Sequence, residues 1–150
     1  MSSVQIHTEI TSSPLNLTAI RQWVGDPAAG AVVTFEGVVR DHDHGVGVTG
    51  ITYSAHPSAT DTLARVVAHF AECEGIRAIA VEHRVGQLIV GDVALALAVA
   101  GEHRREAFTC AMEIIDAVKA EVPIWKQQFL LEGGYESVSY THLRAHETSL

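Results

Sequence analysis

The sequence predicts a single α+β domain with a mainly antiparallel sheet and three helices. Short runs rich in β-branched and aromatic residues alternate with segments of helical periodicity. The chain has 150 residues, a length typical of one domain, and contains neither an internal repeat nor a linker. Apolar residues make up 47% of the chain and charged residues 19%, which is typical of a folded protein with a core.

The first half of the chain predicts a helix, two strands and a second helix. Pro14 follows a serine, as at many helix starts, and Gly25 ends the helical spacing of the apolar residues between them. Residues 31–40 and 48–55 are rich in β-branched side chains, so we expect an antiparallel pair joined by a mobile, polar loop. Residues 57–75 carry apolar side chains at helical spacing and predict the second helix.

The second half predicts three strands, a long helix and a final strand. Residues 77–85, 87–90 and 93–100 have the composition of strands, and residues 124–131 return to an extended pattern. Residues 102–122 form the clearest helix in the sequence. Its apolar residues recur at steps of three and four: Phe108, Ala111, Ile115, Val118 and Val122.

The last residues of the chain are set apart from the domain. Residues 137–150, SVSYTHLRAHETSL, follow no helical or strand period and resemble the conceptual translation of a common sequencing-library adapter. We therefore expect the domain to span residues 1–136 and residues 137–150 to be a non-native read-through tail.

Composition and charge argue against several classes of protein. The chain has 10 basic and 18 acidic residues, and a net charge of −8 disfavours non-specific binding to nucleic acid. No apolar run approaches the roughly 18 residues of a membrane span, and the N-terminus lacks the basic and apolar regions of a secretory signal. Cys73 and Cys110 lack metal-ligand spacing and are expected to pack as small apolar side chains. We expect a cytoplasmic protein without a metal site.

Basic side chains are concentrated at the start of the long helix, at His103, Arg104 and Arg105. A helix N-terminus already holds about half a positive charge, so cations are unfavourable there unless an anion binds among them. Free backbone N–H groups and guanidinium groups together suit a phosphate. The alternative is that Glu102 and Glu106 neutralise the arginines on a solvated face.

Lysine is scarce, because only Lys119 and Lys126 occur. Lys119 lies at the edge of the helix's apolar face, where a lysine either extends to solvent or sits half-buried in a pocket suited to nucleophilic or proton-transfer work. Lys126 lies beside Trp125 in the final strand, where the alternative is an ordinary exposed lysine. Arg40 ends a strand at the polar loop, which is a common position for a ligand-binding side chain.

Five stretches of the sequence carry a resemblance to one known family. They are GAVVTFEGVVRDHDHG (residues 30–45), YSAHPSA (53–59), HRVGQLIVGD (83–92), HRREAF (103–108) and IDAVKAEVPIWKQQ (115–128). With these stretches the chain resembles the large, catalytic subunit of molybdopterin synthase, the MoaE family. The last two stretches, with both lysines in place, are specific, and the first is distinctive.

The resemblance implies a fold, an activity and partners. The family has an α/β-hammerhead-like fold and is an enzyme, a sulfurtransferase that converts cyclic pyranopterin monophosphate to molybdopterin by installing two dithiolene sulfurs. The sulfur arrives as a thiocarboxylate at the C-terminus of a small ubiquitin-like partner. The family forms a heterotetramer around a central homodimer of large subunits, and the transfer needs no metal or redox cofactor.

The resemblance also implies residue roles. Lys119 and Lys126 fall on the family's catalytic lysines, whereas Arg40, His103 and Arg104 fall on its substrate-binding positions. Two roles remain open for Lys119: electrostatic stabilisation, or a transient covalent adduct with the partner's terminal carbonyl. An alternative function also remains open, a non-catalytic module that binds a phosphorylated small ligand. After residue 136 the sequence departs from the family, which continues with a segment that contains tryptophan.

Overall fold

The computed structural model describes residues 3–139, which form two β-sheets and three α-helices. The α+β class, the three helices and the mainly antiparallel pairing are thereby confirmed. The elements follow in the order β1 (Gln5–Thr11), α1 (Leu17–Trp23), β2 (Ala31–Val38), β3 (His42–Asp43), β4 (Val46–Ala55), α2 (Ala59–His69), β5 (Ile76–Arg84), β6 (Gly86–Ile89), β7 (Val93–Gly101), α3 (Arg104–Glu121), β8 (Ile124–Leu130) and β9 (Tyr135–Ser139).

The first sheet separates two apolar layers. Its strand order is β1-β5-β7-β2, and only the β1–β5 pair is parallel. Helices α2 and α3 cover one face, where large aliphatic side chains such as Ile79 and Leu97 are buried. Helix α1 covers the other face, which β5 and β7 line almost entirely with alanine. The small alanine side chains let this short helix lie close to the sheet.

The second sheet brings distant parts of the chain together. Its order is β3-β4-β8-β9, and β6 also pairs with β4. Strands β3 and β4 form a tight hairpin, with a two-residue turn at His44 (φ 51°) and Gly45 (φ 80°). Two successive positive φ angles are typical of a type I′ turn, whose twist matches that of the flanking strands.

Two predictions about the first half are wrong. Helix α1 begins at Leu17 rather than at Pro14, because the Asn16 side chain accepts a hydrogen bond from the Ala19 N–H (3.1 Å) and caps the helix there. The two strands expected to pair lie in different sheets, since β2 pairs with β7 and β4 pairs with β8. The polar segment between them forms the β3–β4 hairpin.

The apolar face predicted for α3 is confirmed at Ala111, Val118 and Val122, which are buried, and at Ile115, which is partly buried, but it is wrong at Phe108. Phe108 is 63% exposed, whereas the buried positions are Ala107, Cys110, Ala111, Ile114 and Val118. Small side chains next to the sheet let the helix approach it closely, and this rotates the larger Phe108 outward. Cys110 is buried as expected, but Cys73 is exposed, because it follows the helical part of its segment.

Sequence reasoning missed the strands at both ends of the described chain. Strand β1 lies parallel beside β5, and β9 pairs with β8. Strand β9 extends past the expected domain boundary, with Ser137 opposite Gln127 and Ser139 opposite Trp125. Residues 137–139 therefore pair in the sheet although their sequence has no strand period, and the domain boundary at residue 136 stays a prediction. Residues 140–150 lie outside the described part of the chain.

None of the described helices is long and apolar enough to cross a membrane.

Truncation tests the contribution of the strand that crosses the boundary. A chain that ends at residue 136 loses three residues of β9 and their ladder with β8, whereas a chain that ends at residue 139 keeps them. We expect the shorter chain to melt at a lower temperature than the longer one, by several degrees. Equal melting temperatures in differential scanning fluorimetry would show that these residues do not stabilise β8.

The buried imidazole of His83 predicts a pH dependence of stability. Its side chain is fully buried, and Nδ1 donates to the Arg84 carbonyl (2.8 Å). Burial lowers the pKa of His83 to about 4, against an ordinary value of 6.5. Below pH 6.5 the imidazole of His83 binds a proton in the unfolded chain, but in the folded chain it binds one only at about pH 4. The free energy of unfolding should therefore fall as the pH drops from 6.5 to about 4.

The variant His83→Asn, whose amide can donate to the same carbonyl, should lack this part of the pH dependence. The exposed His69 provides the control, and His69→Asn should keep the full slope between pH 6.5 and 5. Urea titrations at several pH values measure the slope. Identical slopes in the wild type and in His83→Asn would contradict the buried neutral state.

Candidate active site

Strand β8 places two polar side chains on its inward face. Ile124, Lys126 and Gln128 are all buried, whereas Trp125 between them is exposed. Lys126 is only 2% exposed, and its strand position lies opposite Tyr53 of β4. The alternative of an ordinary exposed lysine is thus wrong. The signal that could have shown this is the period of two that Lys126 shares with Ile124.

The β3–β4 hairpin brings Asp43 to these side chains. Asp43 is 8% exposed, and its Oδ2 accepts a hydrogen bond from Gln128 Nε2 at 2.9 Å. Its Oδ1 accepts from Arg40 Nη2 at 3.3 Å and lies 3.6 Å from His44 Nε2. Sequence reasoning did not single out Asp43, because its segment was interpreted as a solvated loop.

The cations around Asp43 keep its carboxylate charged. Burial, the largest single effect, raises the pKa of Asp43, but the hydrogen bond from Gln128 and the charge of Lys126 lower it. The charges of His44 and Arg40 act in the same direction, so the pKa of Asp43 is lower than its ordinary value. A buried ionised carboxylate is therefore part of the site at neutral pH.

Lys119 lies near this cluster, in the last turn of α3. Its side chain is half-buried, so the expectation of a lysine at the edge of the apolar face is confirmed. Burial lowers the pKa of Lys119, the charge of Asp116 opposes this shift, and the charge of Arg40 adds to it. Arg40 links the two lysines: it contacts Asp43, whose pKa the charge of Lys126 also lowers, and its own charge acts on Lys119. We refer to Arg40, Lys119 and Lys126 as the cationic cluster.

The basic start of α3 is a separate, open site. His103 occupies the N-cap position, and a cleft of about 550 Å³ is lined by His103, Arg104, Arg105 and Phe108, among others. In the described part of the chain, Glu106 contacts His103 Nδ1 (3.2 Å) and Glu102 contacts Arg77 (3.8 Å). The acidic residues therefore engage partners other than the two arginines that the alternative assigned to them.

One chain does not bring the two basic groups together. Arg104 begins α3 and Lys119 lies in its last turn, 15 residues later. At 1.5 Å per residue these positions are roughly 22 Å apart along the axis. The five predicted site residues thus divide into a cluster of three and a pair at the opposite helix end.

The candidate metal-binding set of the described residues and the two thiols lie outside both groups. Among the described residues, one set could hold a metal ion: His7, Glu9 and Glu82, whose ligand atoms lie within 4.8 Å of one another on the first sheet. His7 Nε2 and Glu82 Oε2 already contact each other at 2.7 Å. Burial raises the pKa of the Cys110 thiol to about 12, which makes it a poor nucleophile.

Comparison with known proteins identifies the family. The family described as "MoaE protein" matches residues 10–121, about three-quarters of the chain. The chain belongs to the MoaE family. The molybdopterin synthase catalytic subunit 1 of Mycobacterium tuberculosis is 38% identical over 129 residues, which cover 85% of this chain and 87% of that protein.

Other members of the MoaE family show the same breadth of similarity. The molybdopterin synthase catalytic subunit of Bacillus subtilis is 37% identical over 127 residues, 83% of this chain and 80% of that protein. The crystal structure of molybdopterin synthase from Staphylococcus aureus superposes with a TM-score of 0.77 at 29% identity. That match covers 92% of this chain and 98% of the other, so the MoaE fold extends over nearly all of it.

Proposed function

We propose that this MoaE-family chain is the catalytic subunit of a molybdopterin synthase, converting cyclic pyranopterin monophosphate to molybdopterin. The sulfur comes from the C-terminal thiocarboxylate of a small ubiquitin-like partner. The observation that carries the proposal is the cationic cluster of Arg40, Lys119 and the buried Lys126, found in a chain whose relatives are named molybdopterin synthase catalytic subunits. The free thiols Cys73 and Cys110 are consistent with a cytoplasmic location.

The cluster suits the charges of this reaction. The pterin substrate carries a phosphate, the sulfur donor is a thiocarboxylate, and the intermediates of its attack are anionic. Arg40 is 56% exposed at its side chain, so its guanidinium can reach a bound phosphate. Lys119 and Lys126 are shielded from water to different degrees, and a shielded ammonium stabilises developing negative charge more strongly than a solvated one.

We propose further that each active site is shared between two copies of the chain. Arg104, Phe108, Met112, Ile115 and Lys119 fall within a sector of about 80° on α3 at 100° per residue. Phe108 and Met112 are 63% and 65% exposed. Exposed apolar side chains on a helix support contact with another protein surface.

The position of this apolar pair indicates how two copies would meet. The midpoint between Arg104 and Lys119 falls at residues 111 and 112. A two-fold axis at that point sets α3 antiparallel to its mate and places Arg104 of one copy beside Lys119 of the other. The acidic Asp116 then lies toward the mate's basic helix start, where the charges are complementary. Each site would combine Arg40, Lys119 and Lys126 with the mate's His103 and Arg104.

Substitution of the lysines tests the catalytic assignment. With the thiocarboxylated partner and cyclic pyranopterin monophosphate, Lys119→Ala should lower the rate of dithiolene formation by about 100-fold or more, and Lys126→Ala should also impair it. The exposed Arg21 on α1 provides a control of similar size and charge, and Arg21→Ala should keep the wild-type rate. Wild-type turnover in both lysine variants would overturn the assignment. Tight binding of the pterin without turnover in the wild type would instead favour a ligand-binding module.

The variant Lys119→Arg separates the two roles left open for this residue. Arginine keeps the positive charge but does not form a covalent adduct with the partner's carbonyl under these conditions. Substantial activity in Lys119→Arg would support electrostatic stabilisation, whereas loss as complete as in Lys119→Ala would support the adduct.

Mixed dimers test the shared site. A dimer of one Lys119→Ala chain and one Arg104→Ala chain, isolated with two affinity tags, has one doubly substituted site and one wild-type site. It should recover about half of the wild-type activity, although each parent homodimer is inactive. If the site lay within one chain, every site in the mixture would carry one substitution. An inactive mixed dimer would therefore rule the shared site out.

A further inference from the structure

Asp43 is the buried carboxylate at the centre of the cationic cluster. Within the described part of the chain, three titratable side chains with polar heads are buried: Asp43, Lys126 and His83. Of these, His83 is neutral. Asp43 comes from a two-residue strand, whereas Lys126 comes from β8 near the end of the domain. Strand β3 is short and polar, and its buried acidic side chain lies among cations. Hydrophobic packing does not explain this placement.

Both oxygens of Asp43 are engaged, each with a different part of the site. Oδ2 accepts from Gln128 Nε2 at 2.9 Å, and both side chains are buried, so this bond ties the hairpin to β8. Oδ1 accepts from Arg40 Nη2 at 3.3 Å, three residues earlier in the chain. The tight turn at His44 and Gly45 fixes the backbone from which this carboxylate extends.

The charges that face Asp43 come from each element around it. Its own hairpin contributes Arg40 and His44, and β8 contributes Lys126. Helix α3 contributes Lys119 indirectly, through its repulsion with Arg40. Without the Asp43 carboxylate, Arg40 would lose a hydrogen-bond acceptor. The positive charge of Lys126 would also lose a nearby negative charge that stabilises it.

We propose that Asp43 is a positioning residue of this active site: its carboxylate holds Arg40 and Gln128 in fixed orientations and balances the charge of Lys126. Arg40 is thereby kept beside Lys119 with its remaining N–H groups directed to substrate. This inference deepens the proposed sulfurtransferase function, on which its kinetic part rests. Its structural part concerns the protein alone and is measured without substrate.

The neighbouring Asp41 offers a matched control. It lies two residues from Asp43 in the same segment, but its side chain is 78% exposed and contacts His42 (2.7 Å). Asp43→Asn and Asp41→Asn make the same chemical change and remove the same charge. An effect of local charge that is unrelated to the Asp43 contacts would occur in both variants.

The first measurement uses the fact that the chain has only two lysines. In protein labelled with ¹³C and ¹⁵N lysine, two side-chain ε-methylene signals report the titration of Lys119 and Lys126, and Lys119→Arg assigns them. Removal of a nearby negative charge destabilises an ammonium, so Lys126 should lose its proton at lower pH in Asp43→Asn. Asp41→Asn should leave both titrations unchanged. An unchanged Lys126 titration in Asp43→Asn would overturn the charge-balancing role.

The second measurement follows sulfur transfer by the complete synthase. Asp43→Asn should lower kcat/KM for the pterin about tenfold or more, and the alkaline limb of the pH–rate profile should move to lower pH. Asp41→Asn should match the wild type in both respects. If the wild type transfers sulfur and Asp43→Asn matches it in rate and pH profile, the positioning role is overturned. A wild type without activity would refute the proposed function, while the lysine titration would still decide the role of Asp43.

A swap variant keeps the test decisive if Asp43→Asn alone folds poorly. The double variant Asp43→Asn, Gln128→Glu exchanges the carboxylate and the amide across the same 2.9 Å hydrogen bond. It keeps one donor, one acceptor and one negative charge beside Lys126. Its Lys126 titration should return toward the wild-type pH, and its kcat/KM should exceed that of Asp43→Asn. A swap variant with neither recovery would contradict charge balance as the role of Asp43.

Discussion

A lysine ammonium buried to 2% exposure is the constraint on which the second sheet depends. Removing a charge from water costs several kcal/mol unless a counter-charge and hydrogen bonds replace the lost hydration. Asp43 supplies the nearby negative charge, and it is itself held by Gln128. The hairpin turn, the register of β4 against β8 and the inward face of β8 can all be understood as the framework that keeps these two charges together.

The same framework explains why the site is polar yet structured. Strand β4 pairs with β8 along one edge and with β3 and β6 along the other. Most of its backbone N–H and C=O groups therefore lie in sheet ladders. Gly50 lies opposite Ile89 of β6, and a Cβ at this position would meet the Leu88 carbonyl oxygen at 2.7 Å. The paired strands around the cations limit the conformational freedom of the side chains that line the polar pocket.

The sequence predicted the parts of the fold whose signals are strong and local. Helix α3 and strands β5 and β7 have long apolar patterns, and the structure places all three within two residues of their predicted bounds. The hairpin at His44 and Gly45 was missed because its composition is that of a loop, although histidine followed by glycine tolerates the positive φ angles that the turn needs. The pairing of β2 and β4 was wrong because partner choice depends on non-local packing.

The site residues divide in the same way. Arg40, His103 and Arg104 could be singled out from the sequence because they lie at the ends of a predicted strand and a predicted helix. Lys119 could be singled out because it lies at the edge of the helix's apolar face. The partners of Lys126 and the role of Asp43 could not be predicted in this way, since both arise from contacts between segments that lie far apart in the sequence. Periodicity along one strand indicates which way a side chain faces, but not what lies opposite it.

The hydrogen bond between Asp43 and Gln128 joins residues that are 85 positions apart. As the chain leaves the ribosome, β3 and β4 emerge long before the strand that completes their sheet. A nascent chain without β8 holds Arg40, Asp43 and Lys119 but neither Lys126 nor Gln128. The contact of Asp43 with Gln128 and the charge of Lys126 therefore become available only once β8 has been made, so Asp43 has no buried counter-charge from β8 before that point.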